Sequence, residues 1–175
     1  SGPSSVANFN CVPAEFGPTE ASDIEGVLII GSPRTAKAGL SDGTKKSIQQ
    51  SSTTIVYLER GDGITFVNKA IQAQQAGARA VVIGNNMAAP WPYTMKDSVG
   101  EAEKLGLTIP VVMIKQEDAK ALLELSEANK SSSTSSQAPM CGRLKIQSLA
   151  KDCAVCCDAF VVTDIIMCLP LCGHV

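Results

Sequence analysis

An α/β fold with a mixed sheet and two main helices is predicted by three features of the chain. Short apolar runs bounded by glycine, proline or charged residues recur at Gly26–Gly31, Thr53–Leu58, Arg79–Gly84 and Pro110–Lys115, as expected of strands buried on both faces. Between the second and third of these runs, Phe66, Val67, Ala70, Ile71 and Gln74 fall at helical spacing. Strand, helix and strand within 32 residues form a βαβ unit, so at least part of the sheet is parallel.

Residues 1–22 are rich in Ser, Pro, Gly and Ala and lack a period, which predicts irregular chain with a short edge strand around Val6–Val12. Gly26–Gly31 is the first buried strand, and the polar stretch Ser32–Ser52 reads as a surface loop. Thr53–Leu58 is β-branched and aromatic, and it ends at Arg60-Gly-Asp-Gly63, where two glycines permit a tight turn into the helix. Gly77 is positioned to stop that helix. The long connection Asn85–Thr108 carries Trp91-Pro92-Tyr93 and the only tryptophan, and connections of that length within a compact domain tend to be functional or disordered. After the strand at Pro110–Lys115, Gln116–Asn129 reads as a helix with Glu117 and Asp118 in its first turn, where the helix dipole favours them, and with Ala121, Leu122 and Leu125 on an apolar face. Ser131–Gln137 is a low-complexity loop, and Arg143–Leu149 alternates as a half-exposed strand should.

At 175 residues the chain can bury one good core, or one core with a small metal-stapled appendage. Its net charge of -2, from 15 basic and 17 acidic residues well mixed, creates no field that would gather nucleic acid or an anionic membrane. The apolar runs fall far short of the ~20 residues that span a bilayer. Of the 7 cysteines, only Cys11 and Cys141 lie in the larger globular part, and the rest cluster after residue 152, which fits a reducing compartment better than a disulfide framework. Two further patterns are set aside. Gly39–Ser47 has a glycine gap one residue short of a phosphate-binding loop, and Arg60-Gly-Asp62 sits where a strand must turn into a helix.

The segment Ile55–Gly61, continuing through Phe66, Lys69, Ala73 and Ala76-Gly77-Ala78 to Val81–Asn86, resembles the central stretch of protease-associated (PA) domains. So does Ile109–Ile114 followed by a helix with Ala121-Leu-Leu; with Ala14–Pro18 the likeness covers roughly residues 10–150. Members of that family usually place a cysteine soon after the Arg-Gly turn, paired with another in the preceding loop. Here Gly63 and Ala38 stand near those positions, and one extra residue precedes Phe66, so the staple is missing. The resemblance implies a binding or lid module rather than a catalyst. The globular part has no histidine and no nucleophile beside an obvious base. Its candidate partner-binding residues are Trp91 and Tyr93, since aromatics anchor interfaces; capping of the core by Trp91 is the structural alternative.

The last residues present Cys153-Ala-Val-Cys156, a gap of fifteen, then Cys172-Gly-His174, thiolates and an imidazole at spacings suited to tetrahedral zinc. With Phe160 and the Leu-Pro before Cys172, this segment resembles the first half of a RING-H2 finger. The resemblance implies two Zn2+ ions in a complete RING, with Cys153 and Cys156 serving one, Cys172 and His174 the other, and each site half present here. It also implies docking of a ubiquitin-conjugating enzyme at a groove that includes Val155. A single Cys3His site and cysteines that merely pack are the alternatives; Cys157 and Cys168 are extra to the pattern.

The expectation is therefore a PA-like domain over 1–150 and a truncated, incomplete zinc-binding RING segment over 151–175. Functionally it is a cytoplasmic RING-type E3 ubiquitin-protein ligase fragment that recruits an unknown protein substrate, probed against the alternative of a non-catalytic PA interaction module. As given, the fragment is expected to be inactive.

Overall fold

The computed structural model describes residues 6–18, 20–131, 139–146 and 163–168. Seven strands, β1 (Val6–Pro13), β2 (Ser22–Ile30), β3 (Thr54–Glu59), β4 (Ala80–Gly84), β5 (Val111–Ile114), β6 (Cys141–Ile146) and β7 (Thr163–Cys168), close into a barrel in the order β1-β5-β4-β3-β2-β6-β7. Among the described residues four helices accompany them: α1 (Asp42–Gln49), α2 (Phe66–Ala76), α3 (Glu101–Lys104) and α4 (Gln116–Ser131). The fold is mixed α/β, as expected. β2, β3, β4 and β5 run parallel, and β1, β6 and β7 complete the circuit through antiparallel ladders.

The unbroken apolar runs have a direct cause. Val56, Leu58, Val81, Ile83, Val111 and Met113 face one core, which takes in α1 and α2 through Ile48, Val67, Ala70 and Ala73. Their alternates Ile55, Tyr57, Ala80, Val82, Val112 and Ile114 face a second core with Phe9, Leu28, Leu144 and, from α4, Ala119 and Leu122. A strand covered on both faces has no polar side to display. By contrast β6 alternates: Gly142, Leu144 and Ile146 are buried while Arg143 and Lys145 are exposed, and the fork of Arg143 grips Asp23 across the ladder.

Two expectations change. The N-terminal strand is not an edge, because β1 pairs with β5 on one side and β7 on the other. The stretch Ser32–Ser52 is not all loop. Ser41 caps α1 by accepting from the Thr44 N–H, and this polar helix is held on the core mainly by Ile48, 1% exposed, and Thr44, whose hydroxyl accepts from the Ser32 N–H at 3.1 Å. One apolar residue leaves too weak a period to read. The sheet also takes in a strand from beyond residue 150: β7 pairs with β6 from Cys141↔Cys168 to Ile146↔Thr163 and with β1 from Val6↔Cys168 to Asn10↔Asp164.

Two glycines test the packing. A Cβ on Gly26 would lie 2.5 Å from the Thr53 carbonyl oxygen, a backbone atom that cannot swing aside, whereas one on Gly43 in α1 would meet only Ser41 Oγ at 4.0 Å. Gly26→Ala is expected to destabilise the fold by about 1–3 kcal/mol through overpacking. Gly43→Ala is expected to be neutral or stabilising by up to about 1 kcal/mol, from helix propensity. Urea midpoints of the two variants check the contrast.

Candidate functional site around Arg60

β3 ends where the chain must leave the sheet and start α2 within a few residues. Gly61, Asp62 and Gly63 do this with φ of 135°, 59° and 69°, and Thr65 then caps α2 by accepting from the Asn68 N–H at 3.1 Å. The Asp62 carboxylate accepts from the Thr35 hydroxyl at 2.5 Å, tying the turn to the loop after β2. Beneath that loop Lys69 is fully buried and donates to the Thr35 carbonyl. Burial pulls its ammonium below the ordinary lysine value, opposed by the charges of Asp62 and Glu59. The Arg-Gly-Asp sequence is thus a structural turn.

Arg60 opens that turn, and its N–H donates to the Gly84 carbonyl at 3.0 Å. Its guanidinium lies 4.3 Å from the centre of the Tyr93 ring and 5.9 Å from that of Phe66, and one nitrogen donates to Asn85 Oδ1 at 3.2 Å. The two rings meet edge-on, 6.2 Å apart at 62°. Trp91 and Tyr93 are both half-buried and pack against the core that contains α2. Met87, just before them, is 47% exposed.

Apart from the short α3, the connection from Asn85 to Thr108 is irregular but well tethered. Met95 is fully buried, and its carbonyl accepts from the Glu15 N–H at 3.0 Å. Glu101 accepts from the Thr65 hydroxyl and the Asn68 amide, at 2.9 and 2.7 Å, which ties α3 to the start of α2. Gln74 holds the far end with bonds to the Gly106 carbonyl and the Thr108 N–H. Asp97 accepts from the Ala102 N–H at 2.7 Å and folds the chain into α3.

The strand–turn–helix unit built on Arg60, with its βαβ surroundings, lies inside the stretch matched by a known family: the PA domain matches residues 17–122, more than half of the sequence. The chain belongs to the PA-domain family. Aminopeptidase YwaD of Bacillus subtilis (strain 168) is 45% identical over 74 residues, 42% of this chain and 15% of that protein. Vacuolar-sorting receptor 7 of Arabidopsis thaliana is 47% identical over 66 residues, 35% of this chain and 10% of the receptor. The matched part is thus a small fraction of each relative. Among solved structures, an aminopeptidase from Aneurinibacillus sp. strain AM-1 aligns with 95% of this chain and 34% of its own, at 17% identity and a TM-score of 0.42. BSAP, a zinc aminopeptidase from Bacillus subtilis, aligns with 84% and 35%, at 23% identity and a TM-score of 0.41.

Of the residues singled out by sequence, Tyr93 lies over the guanidinium of Arg60, and Trp91 packs against the core that contains α2. Arg60 and Asn85 were legible only as turn and strand-end residues, because nothing local signals that a ring from a distant loop will lie over the guanidinium. Cys153, Val155, Cys156, Cys172 and His174 lie outside the described residues. Among the described residues no group of three or more His, Cys, Asp or Glu is placed to hold a metal.

The Asp97 carboxyl is held below its ordinary value, first by the Ala102 N–H and then by the Glu101 N–H. A depressed carboxylate stabilises above its unfolded pKa, about 4, and that contribution is lost as pH falls through the lower folded value. Exchange protection of the Ala102 amide should therefore collapse on acidification below about pH 4 in the wild type. In Asp97→Asn it should be weaker and flat over the same range. Hydrogen exchange followed by NMR checks this.

Proposed function

We propose that this PA domain is a non-catalytic protein-interaction module that recognises its partner through the Arg60–Tyr93 surface. The carrying observation is the guanidinium stacked on Tyr93 and bonded to Asn85 before any partner arrives. Arginine and tyrosine are the residue types that dominate interface energetics, and a side chain already held in place loses little rotamer freedom on binding. Exposed Met87, whose N–H donates to Asn85 Oδ1, adds adaptable apolar area beside it. One matched relative is named a sorting receptor and the other an aminopeptidase, and the shared segment is a minor part of each. That supports a role in holding polypeptide rather than in cleaving it.

Selection of a random-peptide display library on the wild-type domain should enrich a peptide family. Its affinity, measured by calorimetry, should fall about tenfold or more in Arg60→Ala and in Tyr93→Ala. Equal affinity in both variants would place recognition elsewhere.

A second reading rests on the Cys153-x2-Cys156 and Cys172-x-His174 spacing: a RING-type E3 ubiquitin ligase in the cytoplasm, with Zn2+ held by those four residues and four more from beyond Val175. In it the PA domain recruits the substrate and Val155 contributes to the groove for the conjugating enzyme, whose charged thioester is brought into reactive geometry. The place of β7 in the barrel weighs against it, because Thr163–Cys168 falls within the interval between the two ligand pairs. A chain extended by about fifty residues should then bind two zinc ions, a RING's complement, and autoubiquitinate, with activity lost in Cys156→Ser. Absence of both leaves the interaction module alone.

A further inference from the structure

Cys141 and Cys168 stand directly opposite each other in the antiparallel ladder between β6 and β7. Both lie outside the two ligand-spaced pairs near the end of the sequence, so neither reading of function uses them. Facing Cα atoms of an antiparallel ladder are about 4.5–5.5 Å apart, and a disulfide spans Cα separations of about 4.4–6.8 Å. The register alone therefore brings two cysteines that are distant in the chain within bonding reach. A sheet holds such a pair together before reaction, which favours it over any thiol that must diffuse to its partner.

The other described cysteine cannot compete. On β1 the residue facing Cys168 is Val6, and Cys11 lies five positions further on, about 17 Å along the strand. Cys11 itself faces Ile114 of β5 and is 6% exposed. Cys141 is open to small reagents. It is half-buried and shares the outward side of β6 with Arg143 and Lys145, while Gly142, Leu144 and Ile146 turn inward. Its thiol donates weakly to the Pro139 carbonyl at 3.7 Å, a contact that a reacting sulfur gives up at little cost.

We infer that Cys141 and Cys168 form a cross-strand disulfide that clamps β7 to β6 when a small-molecule disulfide of the glutathione class is the oxidant. One thiolate attacks the oxidant, whose S–S bond breaks and releases a first glutathione thiol; the facing thiolate then attacks the mixed disulfide and releases the second. The protein loses two electrons to the oxidant, and the two cysteine protons end on the two glutathiones. The bond ties down the strand that joins β6 to β1, so it fixes the closure of the barrel covalently. It closes a long loop of chain, and much of its effect falls on the unfolded state. The staple that PA domains usually carry beside the Arg-Gly turn is missing here at Gly63 and Ala38, and the β6–β7 bond restrains a different part of the barrel. It involves neither Arg60 and Tyr93 nor the four zinc-type ligands, so it stands or falls apart from both readings above.

The test uses the intact chain, reduced, then equilibrated while folded with oxidised and reduced glutathione, quenched with acid, alkylated and digested without reductant by trypsin and Asp-N protease. Those cuts isolate Cys141 in residues 131–143 and Cys168 with Cys172 in residues 164–175, and fragmentation at the Leu169–Pro170 bond separates the latter two. Most of the Cys141 is expected in a link to Cys168. The same treatment in urea should scatter Cys141 among the other cysteines, because the ladder no longer selects its partner. Oxidation should raise the melting temperature by about 5–10 °C, reversibly with dithiothreitol. Cys168→Ser should abolish both the link and the rise, and Cys172→Ser should keep them. Cys141 recovered mainly as a thiol, as a mixed disulfide with glutathione or joined to any other cysteine overturns the inference. So does a link as abundant in urea as in the folded chain, or a melting rise that survives in Cys168→Ser.

Discussion

Burial of the parallel ladder β2-β3-β4-β5 on both faces is the constraint from which the remaining architecture follows. Such a ladder cannot leave either side wet, since its side chains are apolar on both. α1 and α2 cover one face, and α4 with β1 and β6 closes over the other. The antiparallel strands also deal with the edges: β1 satisfies β5, β6 satisfies β2, and β7 joins them, so that among the described strands no edge is left open.

The same constraint places the polar side chains. Strand ends are where apolar packing gives way to polar side chains, and the C-terminal ends of β3 and β4 carry Glu59, Arg60 and Asn85 in adjacent positions. At the end of β4 the Asn85 amide oxygen is committed to Arg60 and Met87, and its nitrogen is buried without a partner among the described residues. The tethered connection above supplies Tyr93. Polar clamps from Thr65, Asn68 and Gln74 of the α2 region hold the later part of that connection at Glu101 and Thr108, so the helix that covers the sheet also tethers the connection.

Legibility in the sequence followed signal strength. Gly77, with φ of 107°, ends α2 where expected, and its N–H reaches the Gln74 carbonyl, because a left-handed stop has a strong residue preference. The long connection was recognisable as special from Trp91 and its length. α1 was not, since its single buried apolar residue leaves no helical stripe, and its one clear mark is the Ser41 cap. Tyr57 read simply as a strand aromatic; that its hydroxyl is buried without a partner among the described residues depends on how near Gly84 and Ala119 lie, a distance no local pattern encodes.

By itself the sequence determined the parallel βαβ core and membership of the PA-domain class, because both rest on local periodicity, turn chemistry and motifs that neighbouring residues carry together. Tertiary structure alone decided that β1 is interior to the sheet, that Thr163–Cys168 closes the barrel instead of only separating two ligand pairs, and that Arg60, Tyr93 and Asn85 converge. Strand pairing and ring stacking join residues far apart in the chain, and their energies depend on distances that exist only once the chain has closed on itself.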